Sequence, residues 1–138
     1  MKIKLLDKNC MPFKKYEKDA GWDLKSRYMV TLNPLETKKI TTGVCIEIPT
    51  GCAGDIRPRS SISERGIQIH YGTVDVGYTG EVGVIMTNIS GEPVTIGAYE
   101  RVAQLVINKL SEDNKLEVVD ELPESDRGNN GFGSTGRV

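Results

Sequence analysis

Lys38-Lys39-Ile40-Thr41-Thr42-Gly43-Val44-Cys45-Ile46-Glu47-Ile48-Pro49-Thr50-Gly51 carries the plainest fold signal in the chain. It is rich in β-branched residues, whose restricted χ1 suits a pleated, half-buried surface. It reads as two short strands, Lys38 to Thr42 and Val44 to Ile48, closed by the Pro49-Thr50-Gly51 turn. The same pattern extends in both directions. Upstream lie Tyr28 to Leu32, ended by Asn33-Pro34, and Ile3 to Leu6. Downstream lie Ala53 to Arg57, Ile67 to Ile69, Val82 to Asn88, Val94 to Ile96, Val102 to Asn108 and Leu116 to Val119. Val and Ile number 12 each and Thr 10, against 4 Ala and 15 Gly, which disfavours long helices. One segment reads differently. Ser60-Ser61-Ile62-Ser63-Glu64-Arg65-Gly66 has hydroxyls at its start, Ser61 and Glu64 at capping-box spacing and a terminal Gly, so a single short helix is expected. Many short strands with Gly/Pro punctuation imply an all-β sandwich, jelly roll or barrel.

The 138 residues imply one domain. With 18 basic and 19 acidic residues the net charge is −1, and aromatics make up 6%. Neither suits a protein that coats nucleic acid or lies on a membrane, so no nucleic acid and no membrane partner is expected. Cys10, Cys45 and Cys52 are odd in number and lack C-x-x-C spacing, which argues against a disulfide framework or structural zinc and for a reducing compartment. The single histidine, His70, rules out multi-histidine metal centres and is expected at a strand surface or in packing. Met1 to Asp7 lacks the apolar stretch of a signal peptide, and no apolar run approaches the roughly 18 residues of a membrane-spanning helix. The expectation is a soluble, cytoplasmic protein, or one in a host-cell interior if viral.

Residues 1–122 read as the folded domain and 123–138 as a flexible arm. The arm is Gly/Ser/Asn-rich, with Phe132 and Val138 its only apolar residues apart from Pro123, so alone it cannot offset its ordering entropy. A frayed terminus is the ordinary reading. Yet Arg127-Gly128-Asn129-Asn130-Gly131-Phe132-Gly133-Ser134-Thr135-Gly136 combines an Arg, an aromatic, glycines and hydroxyls, which are parts suited to closing over a ligand. It lacks the G-K-[ST] element of a Walker A loop.

Four further segments bear groups that could do chemistry. Ala20-Gly21-Trp22-Asp23-Leu24 offers a carboxylate beside Gly, either an Asx-turn or a holder of a hydrated cation. Arg57-Pro58-Arg59-Ser60-Ser61 leads into the helix, where free N–H groups and an Arg could hold phosphate or simply cap the turn. Gly72-Thr73-Val74-Asp75-Val76-Gly77-Tyr78-Thr79-Gly80 is a hairpin-like stretch. Asp75 could take a proton from water and Tyr78 could lie under a sugar, or the stretch is a plain surface turn. In Gly97-Ala98-Tyr99-Glu100-Arg101-Val102-Ala103-Gln104-Leu105, Gln104 stands on a largely apolar strand and must be hydrogen-bonded in a polar network or to a ligand.

In order and spacing, A-G-W-D-L, P-R-S-S, V-D-x-G-Y-x-G, E-R-V-A-Q-L and R-G-x-x-G-F-G-S-T-G closely resemble the five motifs of the trimeric deoxyuridine triphosphate nucleotidohydrolases (dUTPases), from about residue 18 to residue 136. That resemblance implies a distorted jelly roll of the β-clip type, assembled as a homotrimer with active sites shared between subunits and closed by a neighbour's arm. It implies hydrolysis of dUTP to dUMP and pyrophosphate by in-line attack of water on the α-phosphorus, with Mg2+ on the triphosphate. It assigns Asp23 to the metal through water, and Arg59, Ser60 and Ser61 to phosphate oxygens. Asp75 would be the catalytic group, also binding the 3′-hydroxyl, and Tyr78 would stack under deoxyribose. Backbone of Gly72, Thr73, Val74 and Gly83 would read uracil, and Gln104 would bond a phosphate or a metal-bound water. Arg127 would clamp the γ-phosphate, Phe132 would cover the base, and Gly133, Ser134 and Thr135 would wrap the phosphates.

The chain departs from the common D-x-D-Y form of the third motif at Gly77, and Trp22 fills a variable position. The related dCTP deaminases share the fold and a D-P-G-aromatic stretch, but they require a glutamate ten residues after the Asp. That position is Ile85, expected to be buried in its strand and unable to shuttle protons. Deamination is therefore set aside. A nucleotide-switched regulatory binding protein is the remaining alternative.

Overall fold

The structure, a computed structural model, describes residues 1–136. Ten strands and one short helix succeed one another: β1 (Ile3–Leu5), β2 (Gly21–Lys25), β3 (Val30–Leu32), β4 (Thr37–Ile46), β5 (Cys52–Pro58), α1 (Ser60–Ser63), β6 (Ile67–Ile69), β7 (Gly72–Val74), β8 (Glu81–Asn88), β9 (Val94–Ile96) and β10 (Arg101–Lys109). They form two four-stranded sheets, ordered β1-β4-β8-β6 and β2-β10-β5-β7, and a ribbon β3-β9. Every pairing is antiparallel, and most neighbours are distant in sequence, as in a jelly roll. The expected all-β jelly-roll class with one short helix is what the chain forms. No helix of the described residues is long and apolar enough to cross a membrane.

Period-two alternation places the core between the sheets. On β8, Val82, Val84 and Met86 are buried while Gly83, Ile85 and Thr87 point outward. Leu24, Leu32, Val44, Ile67, Ile96, Val102 and Leu105 join them in one cluster. Asn88 is fully buried and satisfied at both ends: its amide donates to the Leu32 and Glu92 carbonyls at 2.9 and 2.8 Å, and its oxygen accepts from the Ser90 N–H at 2.9 Å.

Four readings of the sequence need correction. Lys38 to Thr42 and Val44 to Ile48 are one strand, β4, not two. Gly43 bends it as a bulge at φ 72°, with its N–H donating to Glu81 Oε1 at 2.7 Å, and a Cβ there would meet Cys10 Sγ at 2.7 Å. The Ala20-to-Leu24 segment is not a turn but β2, which pairs with β10. Leu116 to Val119 forms no strand, and Leu116 and Val118 are 103% and 98% exposed. The helix is capped by Arg59 in extended conformation, with no side-chain cap bond, so the Ser61/Glu64 box does not form.

Candidate active site

β7 hydrogen-bonds only to β5, with Thr73 opposite Asp55. β8 pairs with β4 along Glu81 to Thr87 and with β6 only along Met86 to Asn88, one further bond running from the His70 N–H to the Ile85 carbonyl. The segment read as hairpin-like is thus a crossing between two sheets. The outer edge of β7 and the first half of β8 face one another with no ladder between them. Their free backbone groups border a cavity of about 300 Å³ lined by Lys39, Ile56, Gly72, Thr73, Val74, Asp75, Tyr78, Val82, Gly83 and Ile85. Six of the sequence-derived candidates, Gly72, Thr73, Val74, Asp75, Tyr78 and Gly83, meet here.

The loop between these strands is shaped by Gly77 at φ +86°, a left-handed position where only the backbone asks for glycine. The Tyr78 N–H donates to the Asp75 carbonyl at 3.2 Å, and its hydroxyl donates to the Glu81 carbonyl at 2.9 Å. Gly80 lets the ring fold back, since a Cβ there would stand 2.6 Å from the Tyr78 hydroxyl oxygen. Asp75 is exposed at the cavity and forms no ion pair among the described residues. Ile85 lines the cavity at 47% exposure, so it is not buried in its strand as expected. It remains an apolar group with no proton to give.

A second group lies on the other sheet. Asp23 on β2 stands opposite Gln104 on β10. Its two carboxylate oxygens receive Arg59 Nε at 2.9 Å and Arg101 Nη1 at 3.2 Å, and Arg59 also donates to the Arg101 carbonyl at 2.8 Å. Gln104 is satisfied as expected, its amide donating to the Pro58 carbonyl at 3.0 Å. Ser60 and Ser61 are exposed in the first turn of α1, where a backbone N–H has no carbonyl behind it to bond. Ile62, 1% exposed, pins that turn to the core. Arg101 was not among the sequence candidates, although it lies within the fourth motif; its guanidinium also stacks 4.9 Å over the Phe13 ring.

The third group is the arm. Residues 111–136 are all exposed, and every hydrogen bond they make among the described residues is internal, such as Arg127 Nε to the Asn130 carbonyl at 2.9 Å. Phe132 stands fully in solvent, within the turn from Gly131 to Ser134 that a second turn, Gly133 to Gly136, overlaps. Arg127, Gly133, Ser134 and Thr135 therefore touch neither other group within one chain. Lys39, Ile56, Val82 and Ile85 were also not read from sequence as site residues; strand pairing brings them in, and no local motif marks them.

Two jelly-roll sheets whose unpaired edges border a cavity with Asp75 in its wall, with an arginine cluster and an untethered Gly-rich arm, define a nucleotide-handling β protein. The chain belongs to the dUTPase family, whose model matches residues 7–136. It is 44% identical over 133 residues to the deoxyuridine 5′-triphosphate nucleotidohydrolase of Clostridium novyi, covering 94% of this chain and 93% of that protein. The mouse enzyme of the same name is 35% identical, with 98% and 83% covered. Among solved structures, the Staphylococcus bacteriophage 80alpha dUTPase with dUPNHPP superposes at TM-score 0.92 and 32% identity, over 99% of this chain and 98% of that one. A mutant dUTPase of phage phi11, described with a structural Mg(II) ion, superposes at 0.82 and 28% identity, over 89% and 98%.

Proposed function

We propose that this chain hydrolyses dUTP to dUMP and pyrophosphate, and that it does so as a homotrimer. The observation that carries this reading is the cavity between the unpaired edges of β7 and β8, with Asp75 and Tyr78 at its rim. Free backbone donors and acceptors there suit the edge of uracil, which needs both. Tyr78 offers a flat face for deoxyribose, and a 2′-hydroxyl would press against it. Asp75 receives the proton of the water that attacks the α-phosphorus in line, and the 3′-hydroxyl anchors beside it.

Charge that spreads over the phosphates must be met by cations. Arg59, the Ser60 and Ser61 hydroxyls and N–H groups, and Gln104 supply one set of donors. Arg127, Phe132, Gly133, Ser134 and Thr135 supply the closing part, clamping phosphate, covering the base and excluding water. The three groups do not meet within one chain, and Leu116, Val118, Leu122 and Phe132 have no cover of their own. Sharing among three copies answers both facts, with residues 1–122 as the body and 123–138 as an arm reaching a neighbour.

Mg2+ fits as part of the substrate. No group of three His, Cys, Asp or Glu side chains gathers among the described residues to cage a cation, and both Asp23 oxygens already receive guanidinium groups. Asp23 would hold the ion only through its water shell, as a cation reluctant to shed water prefers. Bound to the triphosphate, it would neutralise charge there.

The test is pyrophosphate release from dUTP, dCTP, dTTP and UTP, with and without Mg2+, beside native mass measurement. Release confined to dUTP from a species of three chains is expected. Equal rates on all four nucleotides, or none on dUTP, would remove the reading.

A further inference from the structure

The cavity between β7 and β8 has one cation in its wall, Lys39. Lys39 stands on β4 directly opposite Ile85, with Thr41 opposite Gly83, so Lys39, Ile85 and Gly83 share the outward face of this sheet. Lys39 is exposed, but its stem is folded back along the sheet. It lies across Gly83: Cε, Cγ and Cδ of Lys39 are 2.5, 3.3 and 3.4 Å from the point where a Cβ on Gly83 would sit. The absence of a side chain at 83 is what admits the lysine. The aliphatic stem covers apolar wall while the ammonium stays at the wet rim.

The arginines near the proposed site are already engaged. Arg59 and Arg101 both bind Asp23, and Arg57 binds Asp55. Lys39 makes no ion pair and no hydrogen bond among the described residues, Asp75 included. The Tyr78 hydroxyl proton is committed to the Glu81 carbonyl. Lys39 and the Thr73 hydroxyl are therefore the side-chain donors left to a ligand in this cavity, whose other walls are Ile56, Val74, Val82 and Ile85. A flat heterocycle between apolar walls has its carbonyl oxygens as the groups most in need of donors.

We propose that Lys39 is a base-reading residue, its ammonium donating a hydrogen bond to a ring carbonyl oxygen of the pyrimidine seated between β7 and β8. This rests on the functional reading above and adds a charged side chain to base recognition by backbone. The contact is to the base and not to phosphate, because the stem is anchored on the strand residue that borders the base cavity. A charge-assisted bond of this kind is worth about ten- to a hundredfold in affinity.

The experiment measures inhibition of dUTP hydrolysis by deoxyuridine, which has the base and no phosphate, and by inorganic pyrophosphate, which has no base. Wild type, Lys39→Met and Lys39→Arg are compared as full chains. Lys39→Met keeps the stem and removes the donor. It should raise the deoxyuridine inhibition constant and the KM for dUTP about tenfold or more, leave pyrophosphate inhibition unchanged and alter kcat little. Lys39→Arg should recover part of the loss. Unchanged deoxyuridine inhibition in an active Lys39→Met protein would overturn the inference alone, as would a loss seen for pyrophosphate but not deoxyuridine. A wild-type protein that does not hydrolyse dUTP would instead remove the functional reading, and this inference with it.

Discussion

Asp23 lies on β2 and Arg59 just past the end of β5, strands that are not neighbours, yet the Arg59 Nε lies 2.9 Å from Asp23 Oδ1. β10 intervenes between β2 and β5, and Arg101 at its start occupies the other carboxylate oxygen. One carboxylate thus fixes two guanidinium groups beside the first turn of α1. Asp23→Asn keeps the shape and removes the charge. It should lower stability by about 1–3 kcal/mol, since charge-assisted bonds are lost in a half-buried place, and raise the KM for dUTP. Urea unfolding and steady-state kinetics on the same variant check both. A variant with native stability and KM would show that the arginines hold themselves.

Asp75 stands exposed at the base cavity and forms no ion pair among the described residues. Asp75→Asn should therefore leave the fold and nucleotide binding nearly intact while kcat falls by orders of magnitude. Turnover equal to wild type would exclude it as the proton acceptor.

Gly80 controls where the Tyr78 ring sits. Gly80→Ala would drive a methyl group into the ring, the hydroxyl oxygen being 2.6 Å away and Cζ 2.7 Å. The ring must move, so discrimination between UTP and dUTP should fall, as it should in Tyr78→Ala. The ratio of kcat/KM for the two nucleotides is the measurement. An unchanged ratio in both variants would show that something other than the ring rejects the 2′-hydroxyl.

Deleting Gly128 to Val138 should cost the body no stability, because the described part of that segment makes no hydrogen bond to it. Most dUTP turnover should vanish while the native mass, less the deleted residues, still corresponds to three chains. Full activity in the truncated protein would reduce the arm to a simple terminus.

Asp55 gives the fold a pH-sensitive point away from Asp75. A hydrogen bond from Tyr71 is the main cause holding its carboxyl below the usual carboxylate range; Arg57 and Asn108 assist, and burial opposes them. Because the folded value is depressed, this stabilisation is present above the unfolded value of about 4 and is lost as pH falls through the folded one. Asp55→Asn should be less stable than wild type at neutral pH, with the gap closing in acid. Equal unfolding midpoints at pH 7 would show that Asp55 gains nothing from its partners.

The chain's β character, the positions of most strands and the five functional segments were all legible in the sequence, because alternation, Gly/Pro punctuation and short motifs are local signals. β6 and β9 begin and end at the residues expected, as Ile67–Ile69 and Val94–Ile96. Gly43 was misread because a glycine inside a β-rich run looks the same whether it turns the chain or bulges it. What settles the matter is the pairing of Thr41 with Gly83 and of Cys45 with Glu81 on a strand some forty residues away. Lys39 carries no motif, and only the lie of its stem across Gly83 places it in the cavity. The Leu116 to Val119 run has strand-forming residues, but a strand also needs a partner, and among the described residues this run pairs with none. The sequence by itself determined which groups could do chemistry. Tertiary structure decided which of them meet, because β7 and β8 fall in different sheets and leave two unpaired edges facing one another, an outcome of long-range pairing that no local pattern encodes.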